Sequence, residues 1–417
     1  MTTPPSPAPA TGPRGPRSVV LAGGGTAGHV SPLLALADEL RRRDPQVRIT
    51  VLGTAAGLEA RLVPQRGYDL RTIPKVVFPR TPSTALLRLP TSLKGAVDAA
   101  GAVLDEVGAD LVVGFGGYVS SPAYLAARRR GLPIVVHEQN VRPGLANRLG
   151  AALTPYVATT FAATTLRGAR HLGMPLRREI TGLDRAALRA EALRHFGLRD
   201  DQPVVVVTGG SSGAKRLNDT FAARVRELSA AGVQVLHVTG RGKSFEPAPH
   251  EGAAYVVQEY CDRMDLAFAA ADLVVSRAGA GMVCELTAVG LPAVYVPLPI
   301  GNGEQRFNVA EVVAAGGGLV VPDDQLLPEW VDRTLVPLVR DRDRLSRMAA
   351  AAQSVGTRDG DGRLADLVLE AAGATTRTTA PTAADAGDSP AAPSAGVDTA
   401  RAAQVDATEV DATEVIR

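Results

Sequence analysis

Apolar and polar residues alternate along the first half of the chain with two different periods. Short runs rich in valine and leucine predict strands at 17–22, 47–53, 110–115, 133–137 and 156–161. Between them, apolar residues at helical spacing predict helices at 29–43, 92–107, 120–130 and 144–152. Alternating strands and helices are typical of parallel βαβ units, whose helices cover both faces of one sheet. The first half of the chain is therefore expected to form an α/β domain.

The same alternation starts again after a charged passage at residues 176–180. A β-branched run predicts a strand at 203–208, and helical spacing predicts a helix at 215–231. Further strands are predicted at 234–239, 253–257, 272–276, 293–297 and 319–321. The sequence thus predicts two doubly wound, Rossmann-like parallel-sheet domains in tandem, facing a cleft.

These patterns divide the chain into segments. The expected segments are a disordered tail at 1–16, an N-terminal domain at 17–177, a C-terminal domain at 178–360, a helix at 361–373 that returns to the N-terminal domain, and a disordered tail at 374–417. The tails are expected to stay solvated, because they are rich in small and polar residues and lack the apolar content to fold.

Composition and charge exclude several classes of protein. The 417 residues carry a formal net charge of +2 and only 4% aromatic residues, which argues against a nucleic-acid-binding surface. Cys261 and Cys284 lie in separate apolar segments without metal-ligand spacing, which indicates a reducing compartment rather than disulfides. The longest charge-free apolar stretch, residues 286–303, contains Pro292, Pro297 and Pro299, so no membrane-spanning helix is expected.

Residues 23–29 (GGGTAGH) form a glycine-rich turn between a predicted strand and a predicted helix. They contain the G-x-G-x-x-G pattern of dinucleotide-binding turns, whose backbone N–H groups and helix dipole attract anions. An NAD site also needs an acidic residue at the end of the second strand, and residues 51–54 (VLGT) contain none. NAD is therefore disfavoured. Either the turn is required only by packing, or it binds another ligand, with Thr26 offering a hydroxyl and His29 able to accept a proton.

Two further glycine-rich turns follow predicted strands. In residues 209–213 (GGSSG), Ser211 and Ser212 could cap the next helix or bind a phosphate, and capping is favoured when this turn is considered alone. In residues 276–285 (SRAGAGMVCE), Glu285 lies one turn inside a helix. Its carboxylate could hold ribose hydroxyls while a diphosphate lies on backbone N–H groups, or it could simply interact with the helix dipole. We expect all three turns to face one cleft.

Several separated motifs occur in a family-specific order. The motifs are GGTAGH at 24–29, GGYVS at 116–120, HEQN at 137–140, GMPLR at 173–177, GGS at 209–211, RAGAGMVCE at 277–285 and EQRFN at 304–308. From residue 17 to residue 373 the chain resembles the MurG family, membrane-associated N-acetylglucosaminyltransferases of peptidoglycan synthesis with the two-domain GT-B fold. The resemblance implies an inverting transfer of GlcNAc from UDP-GlcNAc to the muramyl 4-hydroxyl of undecaprenyl-pyrophosphoryl-MurNAc-pentapeptide. Such a reaction needs a base near the acceptor and stabilisation of the departing UDP.

The resemblance also implies roles for single residues. His29 is the candidate base, and the alternative is a histidine that caps the helix or orders the loop. The implied donor-binding residues are Thr26, Ala27, Gly28, Asn140, Arg177, Ser211, Cys261, Ala280, Gly281, Met282, Val283, Cys284, Glu285 and Gln305. His137 and Glu138 could instead be structural groups buried at a strand end. Departures from the family pattern fall at Ser212, Lys215, Cys261 and Glu304, so donor affinity is less predictable than donor identity.

Three acidic pairs could in principle bind a metal ion. They are Asp341 with Asp343, Asp359 with Asp361, and Asp323 with Asp324. Because the first two lie beyond the last predicted strand and the third in a late loop, we expect all of them to be solvated surface charges. Helix N-termini can stabilise a departing UDP without a metal, so a reaction independent of metals and cofactors is expected.

A segment of mixed basic and apolar residues, 75–94, is the candidate membrane contact. The expected contact residues are Val76, Val77, Phe78, Arg80, Leu86, Leu87, Arg88 and Lys94. No acidic residue lies between Asp69 and Asp98, which favours shallow binding to anionic lipids, although a loop packed on its own domain is the alternative. The expected partners are UDP-GlcNAc, the lipid-linked acceptor, an anionic membrane surface at the cytoplasmic face of the cell membrane, and proteins of cell division or wall synthesis.

Two other functions stay open from the sequence. Another UDP-sugar enzyme of the GT-B class, such as a soluble glycosyltransferase or a UDP-GlcNAc epimerase, would share the turns but would not explain the 75–94 segment or the HEQN motif. A non-catalytic nucleotide-binding module would bind UDP-GlcNAc without forming product, and His29→Ala would not affect it.

Overall fold

The computed structural model describes residues 15–76, 85–299 and 303–378. Residues 1–14 and 379–417, which make up most of the two predicted tails, lie outside the described residues. Within the described ranges, none of the helices is long and apolar enough to cross a lipid bilayer.

The first half of the chain forms a seven-stranded parallel sheet. Its strands are β1 (Ser18–Ala22), β2 (Arg48–Gly53), β3 (Asp69–Thr72), β4 (Leu111–Gly114), β5 (Ile134–Glu138), β6 (Tyr156–Thr159) and β7 (Ala169–His171). They are ordered β3–β2–β1–β4–β5–β6–β7, and Val20 of β1 lies between Thr50 of β2 and Val112 of β4. The helices are α1 (Ala27–Arg43), α2 (Glu59–Gln65), α3 (Ala85–Glu106), α4 (Ser120–Arg129) and α5 (Leu145–Ala151).

The second half forms a six-stranded parallel sheet. Its strands are β8 (Val204–Thr208), β9 (Gln234–Val238), β10 (Tyr255–Gln258), β11 (Leu273–Ser276), β12 (Ala293–Tyr295) and β13 (Gly318–Val320), ordered β10–β9–β8–β11–β12–β13. The helices are α6 (Arg178–Thr181), α7 (Arg185–Phe196), α8 (Lys215–Ala222), α9 (Val225–Ala230), α10 (Met264–Ala270), α11 (Ala280–Ala288), α12 (Glu304–Asn308), α13 (Ala310–Ala314), α14 (Pro328–Trp330), α15 (Val336–Arg340), α16 (Arg342–Ser354) and α17 (Gly360–Thr378). A 3₁₀ turn at Asp323–Gln325 and a π-helical turn at Val331–Leu335 complete this half.

Both sheets have the doubly wound Rossmann order, so the predicted fold class is confirmed. In this order successive strands are added first on one side and then on the other side of the first strand of each sheet, which leaves a crevice at the carboxyl ends of β1 and β4 and of β8 and β11. The glycine-rich turns at 23–28, 209–213 and 277–281 follow β1, β8 and β11 respectively. The fold therefore places each of them at the position where α/β sheets bind ligands.

Helix α17 packs on the first sheet although it follows the second in sequence. Its apolar residues Leu364, Leu367 and Val368 are buried in the same cluster as Leu21 of β1. Arg43 at the end of α1 pairs with Asp366 of α17 at 2.5 Å. The last described helix therefore returns to the first half of the chain.

The central strands were predicted correctly, whereas the elements that were missed include β3, β7, α2, α7 and α16. The two strands lie at the edges of the first sheet and are partly exposed, so they lack the continuous apolar run of a buried parallel strand. The helix predicted at 215–231 is instead two helices, α8 and α9. The chain leaves the helical conformation at Arg224, whose φ and ψ are −125° and 19°.

Candidate active site

The turn after β1 fixes Thr26 and His29 side by side at the start of α1. Thr26 is the N-cap residue, but its hydroxyl does not bond to the helix backbone and lies 2.9 Å from Nδ1 of His29. The Thr26 carbonyl accepts hydrogen bonds from the N–H groups of His29 and Val30, both at 3.1 Å. The two polar side chains therefore have a defined mutual orientation at a helix N-terminus.

His29 is neutral at pH 7. Burial of the imidazole lowers the pKa of His29 to about 4, and the negative charge of Glu59 opposes this effect in part. When Nδ1–H donates to the Thr26 hydroxyl, Nε2 keeps its lone pair and can accept a proton. Nε2 faces the turn after β4, where a Cβ on Gly116 would lie 3.2 Å from it. The geometry is compatible with the predicted role as a base, which stays a prediction.

Glu59, at the start of α2, forms a buried hydrogen bond with the turn after β1. This residue was not identified from the sequence. Its fully buried carboxylate accepts hydrogen bonds from the N–H of Gly25 (2.9 Å) and from the N–H (2.9 Å) and hydroxyl (2.7 Å) of Thr54. Burial favours a higher pKa for Glu59, but the hydrogen bonds outweigh it, so its pKa lies below the ordinary value. An acidic residue was considered only at the end of the second strand, where residues 51–54 contain none, and this glutamate lies five residues beyond Thr54.

The turn after β4 packs directly against the turn after β1. Gly116 and Gly117 have φ values of 87° and 80°, in the left-handed region that glycine adopts without strain. A Cβ on Gly117 would lie 2.7 Å from the carbonyl oxygen of Gly24, so a larger residue would push the two turns apart. This close approach explains why both turns are rich in glycine.

The HEQN motif forms a buried hydrogen-bond network at the end of β5. Nε2 of His137 lies 3.0 Å from the carbonyl of Gly173, and burial lowers the pKa of His137 to about 4. Glu138 accepts hydrogen bonds from the N–H groups of Asn140 (2.9 Å) and Gly144 (3.0 Å) and from Asn147 Nδ2 (2.9 Å). Burial raises the pKa of Glu138 despite these donors. The structural alternative for His137 and Glu138 is therefore supported, because both are enclosed and already partnered.

Asn140 is linked to the second half of the chain through Asn308, which sequence reasoning did not single out. Asn308 is 1% exposed and donates from Nδ2 to Oδ1 of Asn140 at 3.2 Å and to the carbonyl of Ala278 at 3.4 Å. Its Oδ1 accepts a hydrogen bond from the N–H of Val141 at 3.1 Å. One side chain thus joins the loop after β5 to the turn after β11. Its place at the end of the EQRFN motif was the signal that could have identified it.

The turn after β8 does not cap its helix with a serine, so the capping expectation was wrong. The N-cap residue of α8 is Ala214, and no side chain caps the helix. Ser211 and Ser212 are exposed instead, and the Ser212 carbonyl accepts a hydrogen bond from Lys243 Nζ at 2.7 Å. Gly210 and Gly213 have φ values of 78° and 65°, in the left-handed region that glycine adopts without strain, so the two serines lie in a tight turn.

The turn after β11 begins a helix whose first N–H groups have no side-chain cap. Gly279 is the N-cap residue of α11, and helix α11 contacts helix α1 of the first half. Glu285, in this helix, lies 3.2 Å from Nη2 of Arg177. Burial disfavours the charge of Arg177, but Glu285 outweighs it and raises the pKa of Arg177. The carboxylate therefore has a specific charged partner and does more than interact with the helix dipole.

Asp323 was expected to be solvated, and this expectation was wrong. It is 17% exposed and pairs at 2.5 Å with Arg277, the residue that follows β11. Arg277 also donates to the carbonyl of Val296 at 3.1 Å. A partly buried carboxylate has lost much of its hydration and depends on its charged partner. The ion pair therefore fixes the start of the turn after β11.

The remaining acidic pairs have structural partners. Asp341 caps α16 by accepting the N–H of Arg344 at 2.9 Å, and Asp359 pairs with Arg363 at 2.8 Å. In the described part of the chain, no group of three or more His, Cys, Asp or Glu residues is arranged to hold a metal ion.

Three other predicted donor-binding residues, Gln305, Cys261 and Cys284, have distinct environments. Gln305 accepts the N–H of Leu298 through Oε1 at 2.9 Å, which leaves its amide N–H groups to donate. Cys261 is buried, and burial raises the pKa of its thiol to about 11. Burial also raises the pKa of Cys284. Neither cysteine is therefore a thiolate at neutral pH, and both are free of disulfides.

The candidate membrane segment is described only in part. Val76 is 1% exposed, so its side chain lies in the interior and the prediction that it contacts a membrane was wrong. Lys94 is exposed and pairs with Asp98 at 2.7 Å. Val77, Phe78 and Arg80, and the side chains of Leu86, Leu87 and Arg88, lie outside the described residues.

Two family models match the chain. The glycosyltransferase family 28 N-terminal domain matches residues 19–159, and the glycosyltransferase family 28 C-terminal domain matches residues 204–364. The matched ranges contain β1 to β6 and β8 to β13, together with the turns described above.

The chain aligns with curated relatives over almost the whole length of those relatives. A Nocardioides sp. (strain JS614) protein is named UDP-N-acetylglucosamine–N-acetylmuramyl-(pentapeptide) pyrophosphoryl-undecaprenol N-acetylglucosamine transferase. It is 58% identical over 355 residues, which are 84% of this chain and 97% of the relative. A protein of the same name from Leifsonia xyli subsp. xyli is 57% identical over 351 residues, with the same coverage of 84% and 97%. The crystal structure of Acinetobacter baumannii MurG superposes with a TM-score of 0.67 at 26% identity, covering 85% of this chain and 100% of that chain.

Proposed function

Because the chain belongs to the MurG family of glycosyltransferase family 28, we propose that it transfers N-acetylglucosamine from UDP-GlcNAc to undecaprenyl-pyrophosphoryl-MurNAc-pentapeptide, converting lipid I to lipid II. The observation that carries this proposal is the 58% identity to a transferase of that name across 97% of its length. The contact between α1 and α11 supports this proposal. A sugar donor bound at the turn after β11, where α11 begins, would lie near His29 at the start of α1.

The donor is assigned to the turn after β11. Diphosphate oxygens would accept hydrogen bonds from the uncapped N–H groups at 280–282, where the helix dipole is positive. Glu285 would hold the ribose hydroxyls through the oxygen that does not face Arg177. Asn140 and Gln305 would bind hydroxyls of the GlcNAc ring, and Gln305 keeps its amide donors for that purpose.

Five further residues are proposed to contact the same UDP-GlcNAc molecule. Ser211 is exposed in the turn after β8 and would bind a phosphate oxygen, and the backbone at Cys261 would read the uracil edge. Thr26, Ala27 and Gly28 would close over the diphosphate and sugar from the first half of the chain. Each assignment extends the family resemblance to a position of this chain.

The reaction is a single inverting displacement. The muramyl 4-hydroxyl attacks the anomeric carbon of GlcNAc, and the bond from that carbon to the UDP oxygen breaks with its electron pair on UDP. Nε2 of His29 takes the hydroxyl proton, because a neutral imidazole whose Nδ1–H donates to the Thr26 hydroxyl has its lone pair on Nε2. Backbone N–H groups of α11 and the guanidinium of Arg177 stabilise the charge on UDP, so the proposed mechanism uses no metal ion.

The acceptor is lipid-linked, and we propose that the chain binds the cytoplasmic face of the cell membrane peripherally. The basic and apolar residues of 77–94 would supply the contact with anionic headgroups. The lipid-linked sugar would then reach the cleft from that surface. Proteins of cell division or wall synthesis are further partners that the family resemblance implies.

The direct test is transfer of radiolabelled GlcNAc to a short-chain lipid-linked muramyl-pentapeptide, with and without EDTA. We expect product in both conditions, no product with water or a free sugar as acceptor, and release of UDP in equal amount. Conversion of UDP-GlcNAc without any acceptor would instead identify an epimerase, and loss of transfer with EDTA would contradict metal independence.

His29→Ala separates an enzyme from a binding module. We expect transfer to fall by about 100-fold, in the range typical of general-base removal, while UDP affinity changes little. Binding of UDP-GlcNAc without product in the unmodified chain would indicate the non-catalytic alternative.

A further inference from the structure

Glu59 is a buried carboxylate without a cationic partner among the described residues. It forms none of the ion pairs in that part of the chain, and its charge is balanced only by donors from Gly25, Thr54 and its own backbone. Burying a charge is costly unless several donors satisfy it, and an apolar side chain in place of the carboxylate would leave those donors unpaired. The position therefore requires a carboxylate rather than an apolar side chain.

Three glycines make room for this carboxylate. A Cβ on Gly24 would lie 2.4 Å from Oε1 of Glu59, one on Gly53 would lie 2.5 Å from its Cγ, and one on Gly57 would lie 2.1 Å from Oε2. These glycines come from the turn after β1, the end of β2 and the approach to α2. Glycines in three separate segments thus leave the space that the Glu59 side chain occupies.

The carboxylate bridges the first turn to its neighbouring strand. Oε2 binds the N–H of Gly25, the residue before Thr26, and Oε1 binds the loop after β2 through Thr54. Because Gly25 has a left-handed φ of 88°, small changes there would swing the Thr26 hydroxyl away from Nδ1 of His29.

We propose that Glu59 is a positioning residue for the transfer reaction, whose buried carboxylate fixes the turn at Gly25 and thereby holds His29 in the tautomer that accepts a proton at Nε2. This inference rests on the proposed role of His29 as the base. The negative charge also stabilises the imidazolium that forms when the acceptor is deprotonated, consistent with its effect on the pKa of His29.

The test compares Glu59→Gln with Glu39→Gln in the full chain. Glutamine keeps the shape but presents an amide to one of the two donors, so the turn loses its hydrogen bond at Gly25 or at Thr54. Glu39 is the matched control, because its buried carboxylate, 4% exposed, pairs with Arg42 and Arg43 at the far end of α1. Both variants are first compared with the unmodified chain by thermal unfolding.

We expect Glu59→Gln to lower kcat about tenfold or more, the effect of losing one charge-assisted hydrogen bond. The Kd of UDP should change less than about threefold, because most of the proposed UDP contacts lie in the second half of the chain. Glu39→Gln should keep kcat within about twofold even if it unfolds at a lower temperature. Should Glu59→Gln fail to fold, Thr54→Val removes only the hydroxyl bond to Oε1 and should lower kcat a few-fold.

A readout independent of activity is the tautomer of His29, measured at neutral pH by long-range ¹H–¹⁵N spectra. We expect the Nδ1-protonated form in the unmodified chain and in Glu39→Gln, and a mixture of tautomers in Glu59→Gln. An unchanged tautomer together with an unchanged kcat in Glu59→Gln would overturn the proposal. If His29→Ala kept full activity, the role of the base would fail, whereas the tautomer measurement would still decide whether Glu59 positions His29.

Discussion

Nδ2 of Asn308 lies 3.2 Å from Oδ1 of Asn140, and this hydrogen bond connects residues 168 positions apart in the sequence. Asn140 lies two residues after the end of β5, and Asn308 ends helix α12 of the second half. Because the same amide also donates to the carbonyl of Ala278 in the turn after β11, the proposed sugar site and the proposed diphosphate site share one buried side chain.

Asn308→Asp should weaken donor binding. An aspartate keeps the size of asparagine but replaces the donor of both bonds with an oxygen, which repels Oδ1 of Asn140 and the carbonyl of Ala278. We expect the KM for UDP-GlcNAc to rise about tenfold, since a buried acceptor without a donor costs about 1–3 kcal/mol. Steady-state kinetics with varied UDP-GlcNAc measures this change.

The matched control for that prediction is Gln234→Glu, which changes another buried amide far from the turns. Gln234 is bonded to Arg199 and Gln202 at the amino end of the second sheet. The Gln234→Glu variant should have a lower melting temperature but an unchanged KM for UDP-GlcNAc. An equal rise of KM in both variants would indicate a general loss of folding rather than a role for Asn308.

Glu285→Gln should lower the affinity for UDP and UDP-GlcNAc. The change removes a carboxylate that is 14% exposed, weakens the ribose contact and leaves the partly buried Arg177 without its counter-charge. We expect the Kd of UDP, measured by isothermal titration calorimetry, to rise about tenfold or more. The exposed Glu329→Gln serves as control, and a Kd for Glu285→Gln equal to that of the control would remove Glu285 from the donor site.

The free energy of unfolding should fall between pH 6.5 and pH 5 because of buried histidines. Burial lowers the pKa of His237 to about 3 from its ordinary value of 6.5, so in this interval the unfolded chain binds a proton that the folded chain excludes. Stability from this residue is therefore complete above pH 6.5 and decreases by about 2 kcal/mol at pH 5. His137 should add a decrease of similar size, which ends near its folded pKa of about 4.

Urea unfolding at pH 7.5 and pH 5.0 tests this prediction. His237→Gln cannot take up the proton, so the stability difference between the two pH values should shrink by about 2 kcal/mol even though the variant is less stable overall. A difference as large as that of the unmodified chain would show that His237 is not the group responsible.

Charge reversal in the candidate membrane segment should weaken binding to anionic lipids. Each basic residue near such a surface contributes about 1 kcal/mol, so Arg80→Glu with Arg88→Glu should lower cosedimentation with phosphatidylglycerol vesicles by at least tenfold. The control reverses two exposed arginines of α16, Arg344 and Arg347. Equal binding of both double variants would show that the 77–94 segment is not the membrane contact.

The sequence by itself determined the two α/β halves, the central strands and the glycine-rich turns at their carboxyl ends. These features depend on local periodicity and on backbone conformations that only nearby residues influence, so the order of residues contains the information. The order of the motifs along the chain was also sufficient to indicate the family.

The tertiary structure alone decided which side chains share the site. Glu59 reaches Gly25 across 34 positions, and Asn308 reaches Asn140 across 168, distances over which hydrophobic spacing gives no signal. Asp323 and Val76 were misjudged for the same reason, since the burial of one charge beside Arg277 and of one valine in the interior depends on packing. Burial and long-range hydrogen bonds form only when the two sheets and their helices pack together. This packing brings motifs that are separate in the sequence into one site.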